Sequence, residues 1–448
     1  MKINSMIKCS AVLLSIAAAI AAAGCNKQES SSKKEETSSK VSASSDVSSE
    51  SESKTESKVS EVSKEESKKN LAEEESGPIP EISDPAPDDN GETVNGVFIF
   101  DNKAYEMFYG SKGMAEYYAE TISSIKKDLG SEIKVYNVLV PTHVAVDLPS
   151  RFDDMCNNQE EYIKYITDAY TEDIIPVSTY NKIMHHRNEY LYFNTDHHWT
   201  ALGAYYAYLE FTRAAGIEPV QLSDLKEDKI EGYQGSLAAI SGVETLKDDY
   251  VTYYTSDDPI DTTLYDGDGS NPQDYSLIHS YAEGANAYGV FLGGDTPILV
   301  TKNEKGNGKK IAVIKESYGN AFSPFIAYTY SEAHFIDFRY VNINLKSYLQ
   351  EHGIDEVIFI NNTMASATEI RCDEMKELIG GSSSSAENNT DYTDDTQTDD
   401  NTTDDNYTED NNTDYYNTGE NYDYDTGAEE NYSEDTNTDN NNNYTNEE

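Results

Sequence analysis

The chain has 448 residues, 83 of them Asp or Glu and 33 Lys or Arg, for a formal net charge of -50. A chain this acidic repels phosphate, which excludes nucleic acid as a partner. The acid is concentrated in flanking tracts, leaving the middle to form a core.

Residues 1–24 carry Lys2 and Lys8, then an apolar run from Ala11 to Ala23, and lead into Ala22-Ala23-Gly24-Cys25. The run is shorter than the roughly 20 apolar residues that span a bilayer. Small residues before a cleavage point make it an export signal. Residues 25–93 are Ser, Lys and Glu, with Pro78, Pro80, Pro85 and Pro87 near their end. Such a stretch buries too little apolar surface to offset the entropy of ordering and is expected to be a disordered tether.

A folded domain is expected over residues 94–380. Val97–Phe100 reads as a strand, Ser111–Leu129 as a helix stopped by Gly130, and Ile133–Val140 as a mostly buried strand ending at Pro141. A helix over residues 159–170 and a strand at residues 174–177 follow, and Ser178 could cap a further helix. Strands alternating with helices predict an α/β domain with a largely parallel sheet.

Near the domain's middle stands Phe193-Asn194-Thr195-Asp196-His197-His198-Trp199-Thr200. In an extended chain Asp196 and His198 share one side and His197 faces the other, toward packing or substrate. An Asp can hold one imidazole nitrogen while the other faces a reacting group. Thr200 is the expected N-cap of an apolar helix running to Gly216.

Residues 218–305, rich in Gly, Asp and Tyr, lack clear periodicity and read as an insertion that covers or borders the site. Asp295, closing Phe291-Leu292-Gly293-Gly294-Asp295, is a turn residue or a substrate ligand. Lys309–Lys315 then reads as a buried strand, followed by Glu316-Ser317-Tyr318-Gly319-Asn320 and a helix to Tyr330. A Ser between strand and helix lies at the carboxyl edge of the sheet, where open α/β sheets bind ligands. Amides at the helix start could stabilise an oxyanion, and Gly319 would permit close approach. Phe335–Phe338 is another strand. A helix over residues 345–353 and a strand over residues 357–362, ending in Asn361-Asn362, complete the domain. Lys315 and Arg339 are the cations nearest the Ser in sequence, fit to meet an acidic sugar or a neighbouring carboxylate. Residues 381–448 hold no Lys or Arg and too few apolar residues for a core, so they read as a disordered acidic tail.

Asp196-His197-His198-Trp199, continued by Thr200-Ala201-Leu202-Gly203-Ala204, resembles the DHHW family of bacterial surface proteins over roughly residues 94–380. Through that family it resembles the AlgX/AlgJ branch of SGNH-hydrolase-like proteins, which transfer acetyl groups onto exopolysaccharide. The resemblance implies a three-layer α/β/α fold with Ser317 as nucleophile, His198 as base and Asp196 as its orienting acid. It implies that one of Asn361 and Asn362, with Asn361 preferred, and Gly319 help to hold an oxyanion and that Trp199, His197 and Asp295 border the substrate. The usual Gly-Asp-Ser is replaced here by Lys315-Glu316-Ser317. Ala22-Ala23-Gly24-Cys25 is similar to a bacterial lipobox, which implies cleavage before Cys25 and a lipid anchor on it outside the cytoplasmic membrane. The implied partner is a cell-envelope polysaccharide, acting with or without a membrane-bound acyl exporter, and no cofactor is called for. The motifs leave O-acetyltransferase and acetylesterase equally open.

Two other readings remain. His185-His186 with Asp196-His197-His198 offers ligands for a zinc site, and the fold could serve glycan binding without catalysis. Cys156 and Cys372, in an exported domain, could form one disulfide.

Overall fold

The computed structural model describes residues 77–380. The expected signal, Cys25, most of the tether and the acidic tail lie outside them. From Gly77 to Gly91 the chain has no helix or strand but runs against the domain. Arg151 there donates to Asp84 at 2.6 Å and to the carbonyl of Ala86 at 3.0 Å.

The first strands, β1 (Glu92–Val94), β2 (Val97–Phe100) and β3 (Lys103–Tyr105), form a small antiparallel sheet. The main sheet has eight strands. β4 (Lys134–Val140) and β5 (Ile174–Ser178) come first in sequence, then β8 (Asp261–Tyr265), β9 (Gln273–Asp274) and β10 (Ile298–Lys302), and last β11 (Lys310–Lys315), β12 (Glu332–Asp337) and β13 (Glu356–Asn362). Their spatial order is β5-β4-β13-β11-β12-β10-β8-β9. The five from β5 to β12 are parallel, and the last three continue the sheet antiparallel. β6 (Lys226–Tyr233) pairs only with β7 (Asp249–Thr255). The expected insertion therefore does more than cover the site, since β8, β9 and β10 extend the sheet itself.

Strand alternation divides the core. Val138, Val313, Ile358 and Ile360 face the helices Ala201–Ala215 and Tyr318–Thr329. Val135, Ile314, Val357 and Phe359 face the helices Lys112–Leu129 and Leu345–His352. Both strand faces are apolar, as a parallel sheet covered on both sides requires. Among the described residues no helix is long and apolar enough to cross a membrane. Cys156 and Cys372 are both free thiols, so the disulfide left open by the sequence does not form.

Candidate active site

The central motif is a tight loop. Tyr192 and Trp199 form an antiparallel bridge, and Thr200 N–H donates to Leu191 C=O at 2.8 Å. Thr200 then caps the following helix by accepting from Gly203 N–H, as expected. Residues 194–198 are bends rather than extended chain. A buried carboxylate from β7 shapes them. Asp249 accepts from the amides of Asn194 and Thr195, both at 2.8 Å, and from both of their side chains at 2.6 Å. Nothing local to residues 193–200 signals this partner.

Within the loop Asp196 Oδ1 accepts from the His198 amide at 2.9 Å and lies 2.6 Å from His198 Nδ1. Its Oδ2 accepts from Ser236 N–H at 2.8 Å. Gly235 permits that approach, because a Cβ there would lie 2.3 Å from Asp196 Cβ. Burial alone would push the Asp196 carboxyl up. The two imidazoles and the Ser236 amide outweigh it and hold the group well below the carboxylate range.

His198 Nε2 lies 2.7 Å from Ser317 Oγ. Ser317 follows β11 at the start of the helix Tyr318–Thr329, so the sheet brings together residues 119 apart in sequence. Tyr288, from the expected insertion, stacks on His198 with centroids 4.1 Å apart and planes at 15°. Its hydroxyl donates to Ser317 C=O at 3.0 Å. Nothing in the motif signals this residue, since its contact is made only through space. Glu316, buried beside the Ser, accepts from Tyr318 N–H at 3.0 Å and Asn362 N–H at 3.1 Å, and its carboxylate lies 3.2 Å from Ser317 Oγ. Burial raises its pKa, with those amides and Arg339 opposing.

Four expectations change. His197 does not point away: its ring lies 3.9 Å from that of His198, and Nδ1 meets Ser236 Oγ at 2.7 Å. The bend that lets Asp196 reach back to His198 swings both imidazoles to one side. Trp199 is fully buried and donates Nε1–H to Tyr318 C=O at 2.9 Å, so it braces the Ser loop from within. Asn361 shares the sheet face of Val357 and Phe359, where its Oδ1 accepts from Tyr118 at 2.9 Å, away from the Ser317 helix. Gly319 N–H is engaged by Glu316 C=O at 2.9 Å. The residue is Gly because a Cβ would lie 2.5 Å from Lys315 Cβ.

Asp295 reaches the site's edge through a loop in which Leu292, Gly293 and Gly294 all have positive φ. It accepts from Asn320 Nδ2 at 2.9 Å and Arg339 at 2.8 Å. Lys315 and Arg339 both pair with Asp337, at 2.9 and 2.7 Å.

Among the described residues, the side chains placed to share a metal ion are Asp196, His197 and His198, with ligand atoms within 4.8 Å of one another. His185 and His186 lie apart from them, bonded to Asn181 C=O and Glu189. Two cavities, of about 360 and 490 Å³, sit beside the stretch Ile79–Pro85, and neither is lined by Ser317 or His198.

A family model described as DHHW protein matches residues 37–336. The structure is similar to that of a DHHW family protein from Eubacterium siraeum DSM 15702, at 30% identity and TM-score 0.60, covering 64% of this chain and 97% of that one. It is also similar to Bacillus cereus PatB1, at 18% identity and TM-score 0.52 over 61% of this chain and 98% of that one. PatB1 with a sulfonyl adduct gives 17% identity and the same TM-score, 0.52, over 64% of this chain and 98% of that chain. No curated protein matches the chain.

Proposed function

This chain belongs to the DHHW family, and on that premise we propose that it is an acyl-transfer enzyme acting on O-acetyl groups of a cell-envelope or exopolysaccharide. The observation that carries the reading is the line Asp196–His198–Ser317, with contacts of 2.6 and 2.7 Å.

In the first half-reaction Ser317 Oγ forms a bond to the acyl carbon while His198 Nε2 takes its proton. Asp196 fixes the tautomer and stabilises the imidazolium. Collapse of the tetrahedral intermediate breaks the bond to the leaving oxygen, which takes the proton from His198. The Ser317 amide, with the positive end of the helix Tyr318–Thr329, would stabilise the developing oxyanion. A water or a sugar hydroxyl then attacks the acyl-Ser317, again through His198. Hydrolysis and transfer are two fates of one intermediate, so esterase and transferase share this site. Retention by a lipid on Cys25, outside the cytoplasmic membrane, would put it beside such a polymer.

The test is acetate release from 4-nitrophenyl acetate together with labelling by an aryl sulfonyl fluoride. The parent should turn over and be labelled on Ser317, and Ser317→Ala should do neither. Turnover retained in Ser317→Ala with the label elsewhere ends the proposal.

The clustering of Asp196, His197 and His198 supports a second reading, a metal-dependent hydrolase. It predicts that chelators abolish turnover.

A further inference from the structure

The surroundings of Ser317 constrain which sugar it meets, an inference that rests on the acyl-transfer reading. Two cations stand near the Ser, and both are matched. Lys315 and Asp337 pair in full burial at 2.9 Å. Arg339 grips Asp337 through Nε at 2.8 Å and a terminal nitrogen at 2.7 Å, and turns to Asp295 at 2.8 Å. Each positive charge is thereby offset by a carboxylate.

Hydrogen-bond acceptors are plentiful by contrast. Asp295 is part-exposed even after its two contacts. Asn320 is buried and one helical turn from the Ser, its amide donating to Ser317 C=O at 3.0 Å. Its Nδ2 is fixed on Asp295, and its Oδ1 has no partner among the described residues. A buried acceptor left in that state is destabilising until a donor reaches it. Glu106, partly buried just past β3, lies within electrostatic range of His197, Asp196 and Glu316. Burial first, then Asp196 and Glu316, raise its pKa against the pull of His197, as expected where acids crowd a low-dielectric space. Around the Ser, Asp295 and Asp337 balance Lys315 and Arg339, and Glu106, Asp196 and Glu316 add further acid.

We propose that this acid-rich site, its two cations paired with carboxylates, takes sugars that present hydroxyl or ammonium donors, neutral or amino sugars, and rejects uronic acids. Discrimination comes from the cost of bringing a like charge to a site already rich in carboxylates.

Three O-acetylated β-1,4-linked oligosaccharides of equal length, built from glucose, glucosamine or glucuronic acid, test this by acetate release from the full chain. The kcat/KM of the glucuronate oligomer should fall about tenfold or more below that of the glucose oligomer. The glucosamine oligomer should match or exceed glucose. Glu106→Gln should narrow the gap between glucuronate and glucose by about threefold and weaken glucosamine. The acidic flanks are common to both proteins, so that change reads the site alone. Calorimetry of the same oligomers, unacetylated, with Ser317→Ala reads the preference without turnover. Binding of the glucuronate oligomer as tight as that of the glucose oligomer overturns the proposal, as does a Glu106→Gln protein with unaltered ratios. Failure of the acyl-transfer reading shows separately, as no Ser317 labelling and no turnover of 4-nitrophenyl acetate.

Discussion

The two ends of the parallel sheet carry nearly the same three functional groups. At the carboxyl end His198 lies between Asp196 and Ser317, with contacts of 2.6 and 2.7 Å. At the amino end His334 lies between Glu332, at 3.1 Å, and Tyr348, at 2.8 Å. Each is a carboxylate, an imidazole and a hydroxyl in line. At the carboxyl end the hydroxyl is an alcohol, part-exposed, at a helix start. At the amino end it is a phenol in the core, carried on the helix Leu345–His352, its pKa raised by burial. A line of groups becomes a candidate for acyl transfer through its place on the sheet as much as through its chemistry.

The sharpest separation should come from cutting each imidazole. His198→Ala should lower ester turnover by about four orders of magnitude, and adding Asp196→Ala should lower it little further, because groups acting as a unit are non-additive. His334→Ala should leave turnover of the folded protein within about twofold and appear instead as lost stability. Equal losses of turnover at both positions would erase the distinction.

Acid should expose the amino end next. Burial, with His352 adding to it and Glu332 opposing, lowers the His334 pKa to about 4, from an unfolded value near 6.5. The unfolded chain therefore binds a proton first as pH falls. The contribution is fully present above about pH 6.5 and is lost progressively down to about pH 4, amounting to about 3 kcal/mol. Chemical denaturation across that window should show a shallower slope in His334→Gln than in the parent.

Smaller effects should sharpen the picture at the carboxyl end. Tyr288→Phe keeps the ring on His198 but removes the bond to Ser317 C=O, which is worth about 1 kcal/mol or roughly fivefold in kcat. Tyr288→Leu should lose the ring contact as well and shift the acid limb of the kcat/KM profile, which a merely structural role would not do. His197→Ala should be the mildest, within about threefold in kcat, with no response to chelator. A severe, chelator-sensitive loss there would favour the metal reading.

Much of this was legible along the chain. The strand before Ser317, the cap at Thr200 and the run of apolar β13 are local signals, and each forms as expected. Glu332 and His334 disguised the start of β12, because a hydrogen-bonded polar pair inside a strand breaks the apolar run. Asn361 was misplaced because the resemblance points to an Asn at the end of β13 without saying which of Asn361 and Asn362, and the two face opposite sides of the sheet. Asp249 and Tyr288 come from a stretch with no periodicity, and they act across 54 or more positions on a loop that cannot announce its partners. His197 followed from assuming extended chain where the Asp196 side chain in fact turns the backbone.

Trp199 is the sole tryptophan among 35 tyrosines, fully buried, with its indole N–H on the carbonyl of the residue after Ser317. The chain therefore carries its own optical reporter at the site it most needs to report. Red-edge excitation should give blue-shifted emission from one environment, and occupancy of Ser317 should alter it while distant changes leave it alone. Substrate entry, acylation and unfolding can each be followed as the light of a single indole, with no dye attached.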